Sequence, residues 1–175
     1  NSATVKGGAL FLGGGFPFLY NCSVTANGAP LGAGIFNQGA GTAVVHCTIV
    51  DANGTAGSAV EFDPIKPSSD IIFQNSIIGD RWTAGVNRAF GPLPSNDRAV
   101  IRFCDVDMTN ADVAALNTMD GLFEGITTPF EGNINCNPLL ETLLAGNVHL
   151  TQCSPAIDRA NEVQADELFL GVSLQ

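Results

Sequence analysis

"GAGIFNQGAGTAVVHCTIVDANGTAGSAVEF" (residues 32–62) decides the fold. It holds short apolar segments separated by Gly-rich turns, around Ile35-Phe36 and around Cys47. Near Cys47 the side chains divide by alternation. Cys47 and Ile49 take one face of an extended strand, and His46 and Thr48 take the other. The stretch then begins again, because "GSAVEF" (57–62) repeats the pattern of "GAGIFN" (32–37).

Working outward, the same two patterns recur. "GGALFL" (7–12) precedes "YNCSVTANG" (20–28), and a weaker "GVNRAF" (85–90) precedes "FCDVDMTN" (103–110). "FQNSIIGD" (73–80) follows "GSAVEF". Aligning the strand segments stacks Cys22, Cys47, Asn75 and Cys104 at intervals of 25, 28 and 29 residues. Alternation then predicts Cys22 with Val24, Cys47 with Ile49, Asn75 with Ile77 and Cys104 with Val106 facing inward. Ser23, Thr48, Ser76 and Asp105 face outward, as do Thr25, Val50, Ile78 and Asp107. Phe11, Phe36, Phe62 and Phe90 take one repeat position and are expected to form an aromatic stack.

A period in the twenties built from short β segments is the mark of a solenoid. The Leu-x-x-Leu-x-Leu frame of leucine-rich repeats is absent. The Gly content and period-2 alternation exclude helical repeats. The expectation is an all-β fold, a right-handed parallel β-helix of about four to six coils. Residues 1–105 supply the regular coils. Residues 106–175 supply the last coils and an irregular, partly helical C-terminal cap, all within one continuous domain. Short helices are expected within 110–119 and 137–144.

The repeats resemble the right-handed parallel β-helices of the pectate-lyase-like superfamily and of polymorphic outer-membrane-protein-like secreted bacterial proteins. The tail "NCNPLLETLLAGNVHLTQCSPAIDRAN" (135–161) resembles the terminal motif of choice-of-anchor proteins, in its Asn137-Pro138-Leu139-Leu140, Gly146, His149-Leu150 and Ser154–Asp158 elements. The resemblance implies a secreted, periplasmic or cell-surface bacterial setting. It implies a fold and is almost silent on activity.

Composition fits that reading. The chain has 175 residues with 20 Gly, 14% charged residues and a formal net charge of −10. The acidic balance argues against a nucleic-acid backbone binder. No apolar run reaches the roughly 18 residues of a membrane-spanning helix. Residues 1–105 carry 7 acids and 6 bases, whereas residues 106–175 carry 10 acids and 1 base. The acidity therefore belongs to the C-terminal part, where a charged irregular segment would cap the stack. The opening at Asn1 shows no signal-peptide pattern, which leaves a processed secreted chain or a fragment as readings. The N-terminal edge shows no comparable cap, so an upstream segment or a partner protein is expected to cover it.

The candidate chemistry is sparse. Asp105, Asp107 and Asp112 form an oxygen-rich cluster suited to Ca²⁺, although the EF-hand glycine and glutamate are missing. No other cofactor is indicated. Trp82, in a turn after Asp80 and Arg81, is the best exposed contact for a sugar ring or a partner. Arg98 and Arg102 lie near Asp105 and could join such a binding site. Cys136 and Cys153 are close enough in sequence to form a disulfide. His46 and His149 lack the surroundings of a catalytic triad, and the Asp-Asp, Gly-His-Gly and Arg-Ile-Lys motifs of polygalacturonases are absent. These features point to a non-enzymatic extracytoplasmic scaffold or binding module, docking to a protein complex or a surface glycan. A polysaccharide lyase or hydrolase, or a fragment of one, is the alternative.

Overall fold

A computed structural model describes residues 1–52, 58–65, 71–79, 89–91, 99–123, 126–142 and 147–156. These residues are mostly β, with parallel sheets and one short helix. Three strands come from the first repeat: β1 (Leu10–Leu12), β2 (Phe18–Tyr20) and β3 (Ser23–Asn27). The second gives β4 (Ile35–Asn37), β5 (Thr42–Val45) and β6 (Thr48–Ala52). The third gives β7 (Val60–Phe62), β8 (Ile71–Gln74) and β9 (Ile77–Ile78), and the fourth gives β10 (Ala99–Arg102) and β11 (Asp105–Val106).

Each strand pairs with its counterpart in the neighbouring repeat. The three sheets run β1-β4-β7, β2-β5-β8-β10 and β3-β6-β9-β11, and every pair in them is parallel. They are open sheets, separated by turns. Isolated parallel bridges extend the first sheet from Val60 to Phe90 and the third from Asp105 to Ile134.

The register explains the core. Leu10, Ile35, Val60 and Phe90 lie in one line across the first sheet. Leu19, Val44, Phe73 and Ile101 do the same in the second, and Val24, Ile49, Ile78 and Val106 in the third. All twelve belong to or pack against one hydrophobic cluster. β-Branched and aromatic residues suit such stacked, pleated lines, and each full burial stabilises by about 1.5–3 kcal/mol.

Two expected alignments shift by one residue. In the third repeat Ser76, not Asn75, stands in line with Cys47 and Cys104, and Ile78, not Ile77, enters the core. A one-residue slip exchanges the two faces of a strand. The four phenylalanines are not one stack either. Phe11 and Phe36 are in register with ring centroids 5.8 Å apart, but Glu61 holds the third place. Phe62 and Phe90 face the core, where both meet Phe73 edge-on.

Asn75 has another role. Between the second and third sheets the chain turns a corner on one left-handed residue in every repeat. These are Asn21 (φ 52°), His46 (52°), Asn75 (51°) and Phe103 (53°), followed by Gly132 (66°). A non-glycine residue there costs about 1–2 kcal/mol. Backbone hydrogen bonds hold each corner from its neighbour: Asn21 N–H to Val45 O (3.1 Å), His46 N–H to Gln74 O (3.2 Å), and Phe103 N–H to Glu131 O (2.8 Å).

After the fourth repeat comes α1 (Asn110–Leu116), which buries Val113 and Leu116 against the core. An antiparallel hairpin of β12 (Asp120–Phe123) and β13 (Ile126–Pro129) follows beside β10. The expected helix at 137–144 is absent from its described part. Leu139 has φ 49°, which a right-handed helix excludes, and β14 (Leu140–Thr142) pairs antiparallel with β15 (Asn147–Leu150).

Candidate functional site

The two ends of the stack differ. At the first repeat, β1, β2 and β3 are the outer strands of all three sheets. Each presents backbone groups on its open side. Leu10, Leu19 and Val24 form the floor between them and are only half-buried. Their partners one repeat on, Ile35, Val44 and Ile49, are at most 1% exposed. Leu10, Leu19, Cys22, Val24 and Asn27 line a hollow of about 560 Å³ over this floor.

Aromatic rings flank the same end. Phe11, Phe16, Phe18 and Tyr20 are each more than half exposed. Phe18 and Tyr20 stack at 5.9 Å, and Tyr20 meets the His46 ring edge-on at 5.5 Å. Phe11 rests on Phe36, whose ring also lies 4.4 Å from the Lys6 ammonium. Lys6 in turn pairs with Asp63 at 3.7 Å.

Inside the corner runs a polar line of Cys22, Cys47, Ser76, Cys104 and Asn133. Cys22 N–H donates to Cys47 Sγ (3.4 Å), Cys47 N–H to Ser76 Oγ (3.1 Å), and Cys104 N–H to Asn133 Oδ1 (3.1 Å). Each thiol or hydroxyl donates to the carbonyl two residues back: Cys22 to Tyr20 (3.3 Å), Cys47 to Val45 (3.2 Å), Ser76 to Gln74 (2.8 Å) and Cys104 to Arg102 (3.3 Å). A small side chain with one donor and one acceptor fits this position, which is why Cys and Ser share it. Burial pushes the Cys47 thiol up to about 11 and the Cys104 thiol up to about 12. Neither is an activated nucleophile.

Of the residues singled out from sequence, those described do not form one exposed site. Trp82 and Arg98 lie outside the described residues. Arg102 is buried on β10 opposite Gln74, not on the surface. Asp105 and Asp107 were expected to face solvent, yet both are buried. Asp105 Oδ1 accepts the Cys136 N–H at 3.1 Å. Asp112 is exposed and engaged at the start of α1: its N–H donates to Thr109 Oγ1 (3.1 Å), whose hydroxyl donates to the Asp112 carboxylate (2.7 Å). That reciprocal pair caps the helix. Among the described residues no group of three or more His, Cys, Asp or Glu could hold a metal ion. Cys136 is half-buried and Cys153 exposed, and both are thiols.

The sequence reading missed the left-handed corners and Asn133. Asn133 stands 29 residues after Cys104, so carrying the last interval one step further would have found it. Among the described residues no helix is long and apolar enough to cross a membrane. No family model, curated protein or solved structure matches the chain.

Proposed function

We propose that the chain is a right-handed parallel β-helix acting as a non-enzymatic, extracytoplasmic scaffold, whose N-terminal end docks a polypeptide, either a partner protein or an upstream segment of the same protein. The reading of a β-helix is supported by three parallel sheets visited in turn, with each strand paired one repeat away. The docking role rests on one observation. The apolar floor of Leu10, Leu19 and Val24 is only half-buried where three strand edges converge. Each of these edges is short, but together they offer three open strand sides around an apolar floor, and open edges recruit further strands. A partner that adds parallel strands covers the edges and the floor together.

The test uses a labelled peptide with the sequence of residues 32–52, which carries the pattern of one repeat. Saturable binding that Leu19→Lys weakens at least tenfold supports docking. No binding at high peptide concentration, together with recognition of a polysaccharide on a glycan array, overturns it in favour of the carbohydrate reading. Repeating that array with EDTA separates a Ca²⁺-dependent site from one that needs no metal.

A further inference from the structure

We propose that Cys22 and Cys47 form a redox modification site, in which a small-molecule disulfide oxidises the pair and staples β3 to β6. The two residues are neighbours in the polar line. The register of β3 on β6 (Ser23 with Thr48) places them side by side in adjacent parallel strands, and Thr48 N–H bonds Cys22 O at 2.9 Å. Adjacent strands are about 4.8 Å apart, within the roughly 4.4–6.8 Å of Cα separation that a disulfide needs. Cys22 N–H reaches Cys47 Sγ at 3.4 Å, and the two thiols point to equivalent carbonyls.

The pair is asymmetric in access. Cys22 is exposed at the uncovered end, whereas Cys47 is 2% exposed. A reagent therefore meets Cys22 first. Its thiolate attacks one sulfur of the reagent disulfide, the reagent S–S bond breaks, and one thiol leaves. Cys47, slow because it is buried and not activated, attacks the Cys22 sulfur, and its proton passes to the departing reagent thiolate. The second reagent thiol leaves, and the Cys22–Cys47 bond forms. Two protein thiols lose two electrons, and the reagent disulfide becomes two thiols. No other step along the line offers this chemistry. Ser76 separates Cys47 from Cys104 by two strand spacings, about 9.6 Å, beyond the roughly 7 Å limit for bridging without backbone movement.

The chain carrying Cys136→Ser and Cys153→Ser keeps three thiols and isolates the pair. It is incubated folded with oxidised glutathione, alkylated and mapped by mass spectrometry. The expected result is a fall from three thiols to one, with a Cys22–Cys47 cross-linked peptide. Reduction should reverse it, Cys22→Ser should abolish it, and the oxidised form should melt at a higher temperature. The same cross-link must appear in the unsubstituted chain, which guards against a background that fails to fold. A stable glutathione adduct on Cys22 with Cys47 still a thiol overturns the proposal. So does a Cys47 bond to any other cysteine. The test uses the chain alone and reads covalent chemistry, so its failure is distinguishable from a failure of docking.

Discussion

Asn117 and Asn133 hold each other through three hydrogen bonds that close the far end of the polar line. Asn117 Oδ1 accepts from Asn133 N–H (3.0 Å) and Nδ2 (2.9 Å), and Asn117 Nδ2 donates to Asn133 O (2.9 Å). Asn133 also accepts the buried Cys104 N–H and donates to Ile101 O at 2.9 Å. One amide thus joins the residue after α1 to the last strands of two sheets. Asn133→Ala strands the Cys104 N–H and should cost about 1–3 kcal/mol in urea unfolding. Asn133→Asp keeps the acceptor but sets a buried carboxylate oxygen against Ile101 O and Asn117 Oδ1, so it should cost at least as much as alanine. Equal stability of all three would show that the amide carries no structural load.

The two ends of the second sheet should respond differently to truncation. Leu19 and Ile101 belong to the same line of core residues, at opposite edges. Ile101 is fully buried, so Ile101→Ala should cost about 2–5 kcal/mol. Leu19 already faces a hollow, and Leu19→Ala should cost less than half as much. Equal losses would mean that the first repeat is covered in solution, for instance by self-association. Light scattering on the same samples would show it.

The corner at His46 tests backbone strain. Its φ of 52° disfavours β-branched side chains most. His46→Val should destabilise by about 1–2 kcal/mol. His46→Gly relieves the strain and loses only the edge contact with Tyr20, so it should be clearly more stable than the valine variant. A ranking with valine at or above glycine would refute the corner geometry.

The buried thiols predict an alkaline limit. The folded pKa values of about 11 for Cys47 and about 12 for Cys104 lie above the ordinary 9.0, chiefly through burial. A raised folded pKa stabilises fully below about 9 and is lost as pH climbs through the folded values. Thiol titration should show stability decreasing only on the alkaline side, and less so in Cys104→Ser. At pH 8, iodoacetamide should label exposed Cys22 and Cys153 and spare Cys47 and Cys104 until unfolding. Rapid labelling of Cys104 in the folded chain would contradict its burial.

Much of the strand pattern was legible in the sequence, because alternation and the recurring Gly-apolar openings both follow from the period-2 geometry of strands. Cys22, Cys47 and Cys104 were matched correctly across repeats. The third repeat went astray because its inner position is Ser76, and "IIFQNSII" offers apolar residues in both registers. Side-chain identity alone cannot choose between them, whereas backbone pairing can. The left-handed corners were hidden for a related reason. Asn, His and Phe occupy a conformation whose usual sequence marker is glycine, and only the neighbouring ladders impose it. Asp105 and Asp107 misled because alternation reports which way a side chain points, not whether residues such as Cys136 arrive later to cover it.

The nearly even spacing of paired strands has a kinetic consequence. Leu10 meets Ile35 and Ile35 meets Val60, each 25 residues apart, and Val60 meets Phe90 after 30. Closing a loop costs an entropy that grows only with the logarithm of its length. Here that length is reset at every repeat. Once two repeats have joined, each further one adds to a finished template across a loop of similar size. Folding should therefore propagate along the stack with nearly equal steps, and the slowest event should be the first pairing.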